Sequence, residues 1–337
     1  MSGIWFDPAV LADSLSETVG YKAGLALSLE QICDHLGGEE ADLVLESEKR
    51  VVRLRPEEYE QLFYKLLHRV GHTDEEYDGD YLGIRLFHKY KNNARKEYEG
   101  VLSLFAEMMP KMLEETHKKG VKVIDPTPLL LECSKRYGEL GAKIAFEKLK
   151  AIDKGLHMNP FTTIRYHEWS QQAELDALFA GGNQQPEQAK FLDQRYIDYL
   201  SVNKDRLPEI HWRKFEELSA EFFSRQGYSV EIGPGRNDDG VDIRVWKPDG
   251  AATDAPLCLV QCKRQKDKIE KVVVKGLVAD VAFEKADYGV IVTTSALSPG
   301  ARTTVVSRGY PIKEVERQAV EKWLTELRTP GSGIVRV

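Results

Sequence analysis

Hydrophobic positions recur with a helical period through the first half of the chain, from Pro56 to about Lys154. One segment places apolar residues three and four positions apart, as on one face of a helix: Leu102, Phe105, Met109, Met112 and Leu113. We interpret this stripe as part of a hydrophobic core. A shorter mixed segment near the start, VLESEKRVVRLRP, favours a strand or two.

The pattern changes after Pro208, where short runs rich in β-branched and aromatic residues follow a helical segment, HWRKFEELSAEFFSRQ. The runs are YSVEI, VDIRVW, LCLVQCK and YGVIVTTS, and a second helical segment, KIEKVVVKGLVADVAFEK, separates the last two. This order predicts α-β-β-β-α-β. Its final β-α-β step predicts a parallel pair of strands joined by a right-handed crossover.

A chain of 337 residues suits two domains better than one. The run AGGNQQPEQ combines Gly, Asn, Gln and Pro, which favours a linker. We therefore predict an acidic, mainly helical domain over residues 1–180, a linker with a short helix over 181–205, and a second domain over 206–330. The predicted fold class is α+β overall, and the second domain is an α/β unit whose mixed central sheet is flanked by helices.

Charge is distributed unevenly between these parts. The whole chain has a net charge of −7, which by itself argues against binding to nucleic acid. From Arg206 onward, however, there are 21 Lys and Arg against 19 Asp and Glu, or about +2, and the remainder carries about −9. Six basic residues crowd into QCKRQKDKIEKVVVK, directly after the LCLVQCK run. A solvated face is the usual meaning of such a run, but its place at a strand end also suits an active site.

The sequence gives no sign of export or of metal-binding cysteines. It opens without a basic segment followed by an apolar stretch, and it has no run of 18 apolar residues, so we expect a cytoplasmic protein that does not contact a membrane. The four cysteines have no zinc-ligand spacing, which supports neither a zinc site nor a disulfide scaffold. Cys258 and Cys262 are expected to be buried free thiols.

Polar residues interrupt two of the predicted strands in a regular way. Because side chains alternate across a strand, the apolar positions of VDIRVW share one face and Asp242 points to the other. In LCLVQCK the same rule places Gln261 and Lys263 together, on the face opposite Cys262. If the strands are neighbours, Asp242, Gln261 and Lys263 converge near one end of the sheet. On the residues alone, a surface lysine at a strand end is the favoured interpretation of Lys263.

The preceding helix supplies a further carboxylate. With about 100° per residue, Glu216 falls at the edge of the apolar face, whereas Glu217 and Glu221 fall nearer the opposite side. An acid at that edge is able to reach a cleft between helix and sheet. The alternative is an ordinary solvated helix carboxylate.

These residues resemble a known family. The sequence FEELSAEFFSRQGYSVEIGPGRNDDGVDIRVW, followed by LVQCKRQ and GVIVTTSALSPGA, is similar to the catalytic domain of Mrr-type restriction endonucleases, a branch of the PD-(D/E)XK nuclease superfamily. The resemblance extends over roughly residues 206–327. It implies that Asp242 of DGVD is the metal-binding aspartate, that Gln261 and Lys263 form the Q-x-K motif, and that Glu216 of FEEL is the helix glutamate. Gln261 stands where most of the superfamily has Asp or Glu, which removes one negative charge.

The resemblance also implies the chemistry of the site. Mg²⁺ prefers oxygen ligands, and we assign Asp242 as principal ligand, with the Gln261 amide oxygen, Glu216 and the backbone carbonyl of Cys262 as direct or water-mediated partners; Mn²⁺ is a substitute. Lys263 would orient the attacking water and offset charge on the phosphate. Asp238 and Asp239 are candidate water-mediated partners of the metal. Three basic residues are predicted phosphate contacts: Arg236, Arg264 and Lys266.

Three functions remain open at this point. The first is a Mg²⁺-dependent DNA endonuclease, a restriction or phage-defence factor, which the combined motifs favour. The second is a non-catalytic module that uses the nuclease fold to bind nucleic acid, which the missing acid at Gln261 favours. The third is a structure-specific resolvase of branched DNA, which shares the same core. Because cutting both strands calls for two active sites, we expect a homodimer or higher oligomer, with a regulatory partner or signal acting through residues 1–180.

Overall fold

The structure, a computed structural model, describes residues 3–73, 76, 82–120, 124–182, 185–235, 240–248, 250 and 253–328. Its N-terminal half is mainly helical, as predicted. The described helices of this half are α1 (Val10–Ala23), α2 (Leu29–Leu36), α3 (Gly38–Ser47), α4 (Pro56–Arg69), α5 (Leu82–Tyr90), α6 (Arg95–Lys118), α7 (Thr127–Met158) and α8 (Asp176–Ala180).

Four short strands accompany these helices: β1 (Ile4–Phe6), β2 (Leu25–Ala26), β3 (Val52–Leu54) and β4 (Ala173–Glu174). β1 pairs with β3 in antiparallel orientation, and β2 pairs with β4 in parallel orientation. The strand predicted in VLESEKRVVRLRP is β3, but only its VRL segment is extended. The first four residues of that run belong to α3, where Val44 is buried.

The C-terminal half begins with α9 (Gln194–Val202), the short 3-10 helix η1 (Lys204–Glu209) and α10 (Trp212–Arg225). The remaining elements are β5 (Ser229–Ile232), β6 (Ile243–Trp246), β7 (Cys258–Lys263), α11 (Lys271–Glu284), β8 (Tyr288–Thr293), α12 (Pro299–Arg308), β9 (Ile312–Val315) and α13 (Arg317–Leu327).

Among the described residues, five strands form one mixed sheet in the order β5-β6-β7-β8-β9. β5, β6 and β7 are antiparallel neighbours, whereas β7, β8 and β9 run parallel. The predicted order and the parallel pair joined by α11 are therefore confirmed. β9 was not predicted, because Ile312 is the one fully buried position of this four-residue edge strand and its alternation is weak.

The two faces of β7 pack against different helices, as the alternation predicted. Cys258, Val260 and Cys262 lie in one core cluster with residues of α10 and α13, including Phe215. Leu259 lies in another cluster with residues of α11 and α12. β7 is thus covered on both sides, which explains its continuous run of buried positions.

The helices α5, α6 and α7 form a core cluster of their own. Most of the predicted apolar stripe of α6 contributes to it: Phe105 is buried, and Leu102, Met109 and Met112 pack against the cluster. Leu113 is an exception, because its side chain is 52% exposed. The stripe therefore ends one position earlier than its periodicity predicted.

The segment predicted as a linker contains a buried helix. α9 buries Tyr196, Ile197, Tyr199 and Leu200 in the cluster that also holds the α10 face of the sheet. Its Gln194 donates to the backbone carbonyl of Leu327 at the end of α13. Residues of both halves therefore meet around α9, and the boundaries at 180 and 206 stay a prediction.

The four cysteines are free thiols, in agreement with the sequence. Within the described ranges, none of the helices is both long enough and apolar enough to span a bilayer.

Candidate active site

The end of β7 carries two of the predicted site residues. Gln261 is buried, with 8% of its surface exposed, and Lys263 is half-buried at the last position of the strand. Cys262 lies between them and packs in the opposite direction, toward α10. The backbone carbonyl of Lys263 accepts a hydrogen bond from the Thr293 hydroxyl at 2.8 Å, which fixes the strand end against β8.

Asp242 lies directly before β6 and is held by the backbone around it. Its Oδ2 accepts a hydrogen bond from the Cys262 N–H at 2.6 Å. Its own N–H donates to the Val260 carbonyl at 3.0 Å, and its carbonyl accepts from the Gly233 N–H at 2.8 Å. The carboxylate thus takes the place of a β6 carbonyl as partner of Cys262. A buried carboxylate fixed in this way keeps its orientation without help from solvent.

The strand alternation fails at the start of β6. Val241 packs in the cluster of α11 and α12, whereas Ile243 and Val245 pack in the cluster of α10. The prediction that all three share a face is wrong, because regular pairing begins at Ile243, and Asp242 bonds to β7 through its side chain. Asp242 nevertheless lies at the predicted end of the sheet, beside Gln261.

Gln261 has one satisfied and one unsatisfied end. Its Nε2 donates to the Gly240 carbonyl at 2.8 Å. Its Oε1 is buried and has no hydrogen-bond partner among the residues that the structure describes. Gly240 has φ +91°, and a Cβ there would lie 3.2 Å from Nε2, so this close approach requires glycine. Because a buried oxygen without a partner is costly, Oε1 is suited to a cation or a donor supplied from outside the chain.

Glu216 lies on α10, and only 5% of its surface is exposed. Its Oε2 accepts from Arg213 Nη1 at 2.9 Å, and the same guanidinium nitrogen donates to the Gly233 carbonyl at 2.8 Å. Gly233 in turn donates to Asp242. Arg213 therefore ties the helix carboxylate to the backbone that holds the strand carboxylate.

The pKa of the Cys262 thiol shows how closely the charged groups converge. Burial raises this pKa well above its usual value, and the negative charges of Asp242 and Glu216 raise it further. A hydrogen bond from Ser219 and the positive charge of Lys263 act in the opposite direction. Glu216, Asp242 and Lys263 thus all lie near enough to this sulfur atom for their charges to affect its pKa.

The structure describes two of the three basic residues that were predicted to contact phosphate. Arg264 is exposed, and its Nη1 donates to the Pro208 carbonyl at 3.0 Å, just before α10. Lys266 is exposed, and its carbonyl accepts from the Ser295 hydroxyl. Arg236, Asp238 and Asp239 lie outside the described residues. Arg264 and Lys266 therefore lie beyond the end of β7, whereas the position of the third basic residue stays a prediction.

Two features of α10 were missed from the sequence. Arg213 was not singled out, although its i, i+3 spacing to Glu216 is the spacing of neighbours on one helix face. Glu221 was placed nearer the solvent side, but it is 2% exposed and accepts from the N–H groups of Lys190 and Phe191. The segment that covers Glu221 comes from the predicted linker, so periodicity within α10 was unable to reveal this burial.

The first turn of α10 also lines an open cleft of about 450 Å³. Its walls include the backbone at Gly181 and Gly182 and the side chains of His211, Arg213 and Lys214. Burial is the main cause that lowers the pKa of His211, and the positive charges of Arg264 and Lys214 lower it further. Arg213 pairs with Glu216 and Lys214 pairs with Glu217, so the cleft adjoins the candidate active site through two ion pairs.

The donor set fits a hard divalent cation. Among the described residues, no group of three His, Cys, Asp or Glu side chains is arranged to hold a metal. The candidate site offers two carboxylates, Asp242 and Glu216, and the unpartnered oxygen of Gln261. Oxygen ligands of this kind, one or two of them carboxylates, are what Mg²⁺ uses in proteins, with water and substrate phosphate completing its shell.

A comparison with curated proteins finds no match. Two solved structures show distant similarity. "MspJI Restriction Endonuclease in Complex with 27-mer Oligonucleotide" is 20% identical over 51% of this chain and 37% of its own, with a TM-score of 0.27. "DNA modification-dependent restriction endonuclease AspBHI" is 17% identical over 47% of this chain and 46% of its own, with a TM-score of 0.27. The chain spans less than half the length of either, and likenesses this weak carry no argument about its activity.

The family comparison is more specific. The model of the Mrr catalytic domain, described as a restriction endonuclease, matches residues 207–324. This range begins just before α10 and ends within α13, so it includes all five strands of the mixed sheet and the four candidate side chains. The resemblance in the sequence is thus confirmed: residues 207–324 match the Mrr-type restriction endonuclease catalytic domain.

Proposed function

We propose that this protein is a Mg²⁺-dependent DNA endonuclease that hydrolyses phosphodiester bonds, acting in the cytoplasm in restriction or phage defence. The observation that carries the proposal is the buried, unpartnered Oε1 of Gln261 beside the fixed carboxylate of Asp242, within a domain of the Mrr type. An unsatisfied buried oxygen of this kind calls for an explanation, and a bound ion supplies one.

Asp242, Gln261 Oε1, Glu216 and the backbone carbonyl of Cys262 would hold the cation, with Asp242 as the principal ligand. Mg²⁺, or Mn²⁺ in its place, would supply a water of lowered pKa and polarise the scissile phosphate when bound. The hydrogen bond from the Cys262 N–H fixes the orientation of Asp242 beforehand. Arg213 does the same for Glu216.

Lys263 is the residue that we assign to the phosphate and the attacking water. Among the described residues, its ammonium group forms no ion pair. A fixed positive charge near the reacting phosphorus offsets the negative charge that develops in the transition state. Lys263 lies two residues beyond Gln261 in β7, so the two side chains share one face of the strand.

DNA would lie across the strand ends, where basic residues exceed acidic ones. Arg264 and Lys266 are exposed there, and Arg236 is proposed to join them as a phosphate contact. Because phosphate contacts release counterions, binding should weaken steeply with salt. We further propose a homodimer or higher oligomer for double-strand cleavage, with residues 1–180 receiving a regulatory partner or signal.

The test is cleavage of supercoiled plasmid in the presence of Mg²⁺. We expect Lys263→Ala to lower the rate at least about 100-fold, as loss of one preorganised charge does, and EDTA to abolish cleavage of the native protein. Lys275→Ala is the matched control, since Lys275 is an exposed lysine on α11, and it should cut at the native rate. Cleavage that is unchanged in Lys263→Ala would refute the assignment of this residue.

The missing acid at Gln261 favours a second candidate, a module that binds nucleic acid without cutting it. This candidate expects salt-sensitive DNA binding that is the same with and without Mg²⁺, and no cleavage of any substrate. Turnover that is lost in both Asp242→Asn and Lys263→Ala excludes it. A panel of plain duplex, modified duplex and four-way junctions separates a restriction enzyme from a resolvase, which should prefer the junctions.

A further inference from the structure

A second cavity lies where helices of the N-terminal half meet α9 and η1. It has a volume of about 210 Å³, is partly open to solvent and is lined by residues of α2, α8, α9 and η1. Residues of all four elements line it, so its shape depends on their mutual packing. Gln31 of α2 donates to Asp176 of α8 at 2.6 Å, which holds two of its walls together.

Two buried polar groups of this cavity are unsatisfied. Tyr199 is fully buried, and its hydroxyl has no hydrogen-bond partner among the residues that the structure describes. His35 is 8% exposed, and its Nε2 likewise has no partner within those residues. The rings of these two residues meet edge to face at 5.6 Å. Since an unpaired buried polar group is costly, two of them on one cavity point to a ligand that bonds to both.

The protonation state of His35 determines which hydrogen bonds its ring is able to form with a ligand. Burial lowers its pKa to about 4, and the positive charge of Arg206 lowers it as well. The imidazole is therefore neutral near pH 7, with one nitrogen that donates and one that accepts. Together with the Tyr199 hydroxyl, the cavity thus presents both donors and acceptors without a buried charge.

An aromatic wall and an acidic rim complete the cavity. The Arg206 guanidinium lies 4.8 Å from the centre of the Phe179 ring, and its Nε donates to Glu209 at 2.5 Å. Three acids line the cavity against this single arginine: Glu30, Asp34 and Asp176. The lining charge is therefore about −2, which disfavours phosphates and carboxylates.

We propose that this cavity binds a small, uncharged heteroaromatic compound with amino groups, of the class that includes free nucleobases and nucleosides. A flat ring suits the Phe179 wall, ring nitrogens accept from Tyr199, and amino groups donate to His35 and to the acidic rim. A volume of about 210 Å³ is below the ~300 Å³ at which pockets for drug-sized ligands begin, so the ligand is correspondingly small. This proposal does not depend on the nuclease activity.

Calorimetric titration of the full chain tests the proposal with adenosine, cytidine and adenine as probes, AMP as the anionic counterpart, and a short single-stranded oligonucleotide as the source of bases within DNA. We expect at least one uncharged probe to bind with one site per chain. AMP should bind at least about tenfold more weakly than adenosine, because its phosphate meets the acidic rim.

The same helix provides a matched pair of variants. Tyr199→Phe removes the unpartnered hydroxyl and should weaken binding about tenfold or more without lowering the melting temperature. Tyr196→Phe removes a buried hydroxyl that donates to the Glu174 carbonyl at 2.8 Å, so it should lower the melting temperature and leave affinity unchanged.

Three results would overturn the proposal. One is the absence of binding for every uncharged probe, and another is binding of the oligonucleotide alone, since that would place the ligand within DNA. The third is native affinity in Tyr199→Phe. Loss of plasmid cleavage in the active-site variants has no bearing on any of these outcomes.

Discussion

Replacing Asp242 with asparagine separates the role of its charge from the role of its shape. The side chain is 8% exposed, and its Oδ2 accepts from the Cys262 N–H at 2.6 Å. Asparagine has nearly the same size and keeps an acceptor oxygen for this N–H. A charge-assisted hydrogen bond becomes a neutral one, so we expect the free energy of unfolding to fall by only about 1 kcal/mol.

The effect on cleavage should be much larger. Of the proposed metal ligands, Asp242 and Glu216 carry charge, and Gln261 and the Cys262 carbonyl do not. Metal-ion catalysis supplies several kcal/mol of transition-state stabilisation. If loss of the principal charged ligand removes about 3–4 kcal/mol of this, the rate falls about 10²- to 10³-fold.

The assay is the initial rate of plasmid cleavage over a range of Mg²⁺ concentrations, with thermal unfolding measured on the same samples. Glu284→Gln is the matched control, because Glu284 is a partly buried carboxylate that pairs with Arg244 of β6 at 2.6 Å. The control should cut at the native rate. The reasoning would be refuted if the Asp242→Asn variant cut within about threefold of the native rate with the same Mg²⁺ dependence. It would also be refuted if the variant lost cleavage because it unfolds.

Further predictions concern two buried acids, one arginine and one histidine. Glu216→Gln should lower the cleavage rate at least about tenfold and raise the Mg²⁺ concentration that cleavage requires. Glu221→Gln, on the same helix, should lower the melting temperature and leave the cleavage rate unchanged. Equal losses of cleavage in the two variants would contradict this prediction. Arg213→Met should slow cleavage about tenfold by releasing Glu216, as plasmid assays would show, and a native rate would exclude its positioning role. In the folded protein, the pKa of His35 is lowered from 6.5 to about 4. Between these two pH values the unfolded chain therefore binds a proton that the folded protein does not. The free energy of unfolding should fall by about 2 kcal/mol from pH 7 to pH 5. Urea unfolding at both pH values should show this loss reduced in His35→Gln, and an equal loss in both proteins would refute the assignment.

The sheet and the candidate site could be predicted to different extents. Runs such as LCLVQCK are continuous in apolar residues because both of their faces are buried, and the alternation correctly paired Gln261 with Lys263. β9 escaped prediction because one position of this edge strand is fully buried. The face predicted for the Val241 side chain was wrong because regular strand pairing starts two residues later.

Long-range packing decided the features that were missed. Glu221 lies on what looked like the solvent side of α10, and the segment that covers it is separated from it by about 30 residues. Arg213 donates a hydrogen bond to the Gly233 carbonyl, which belongs to a separate loop. Tyr199 and His35 meet across two helices that are distant in sequence. No periodicity within one element records such contacts.

By itself, the sequence determined the order of the elements from α10 to β8 and the residue types able to bind a hard cation, because these follow from local patterning and from the chemistry of the side chains. Only the tertiary structure decided that Asp242 bonds to Cys262, that Gln261 Oε1 is left without a partner among the described residues, and that Arg213 ties Glu216 to the Gly233 carbonyl. The physical reason is that hydrogen-bond partners and desolvation depend on which distant backbone segments close over a side chain.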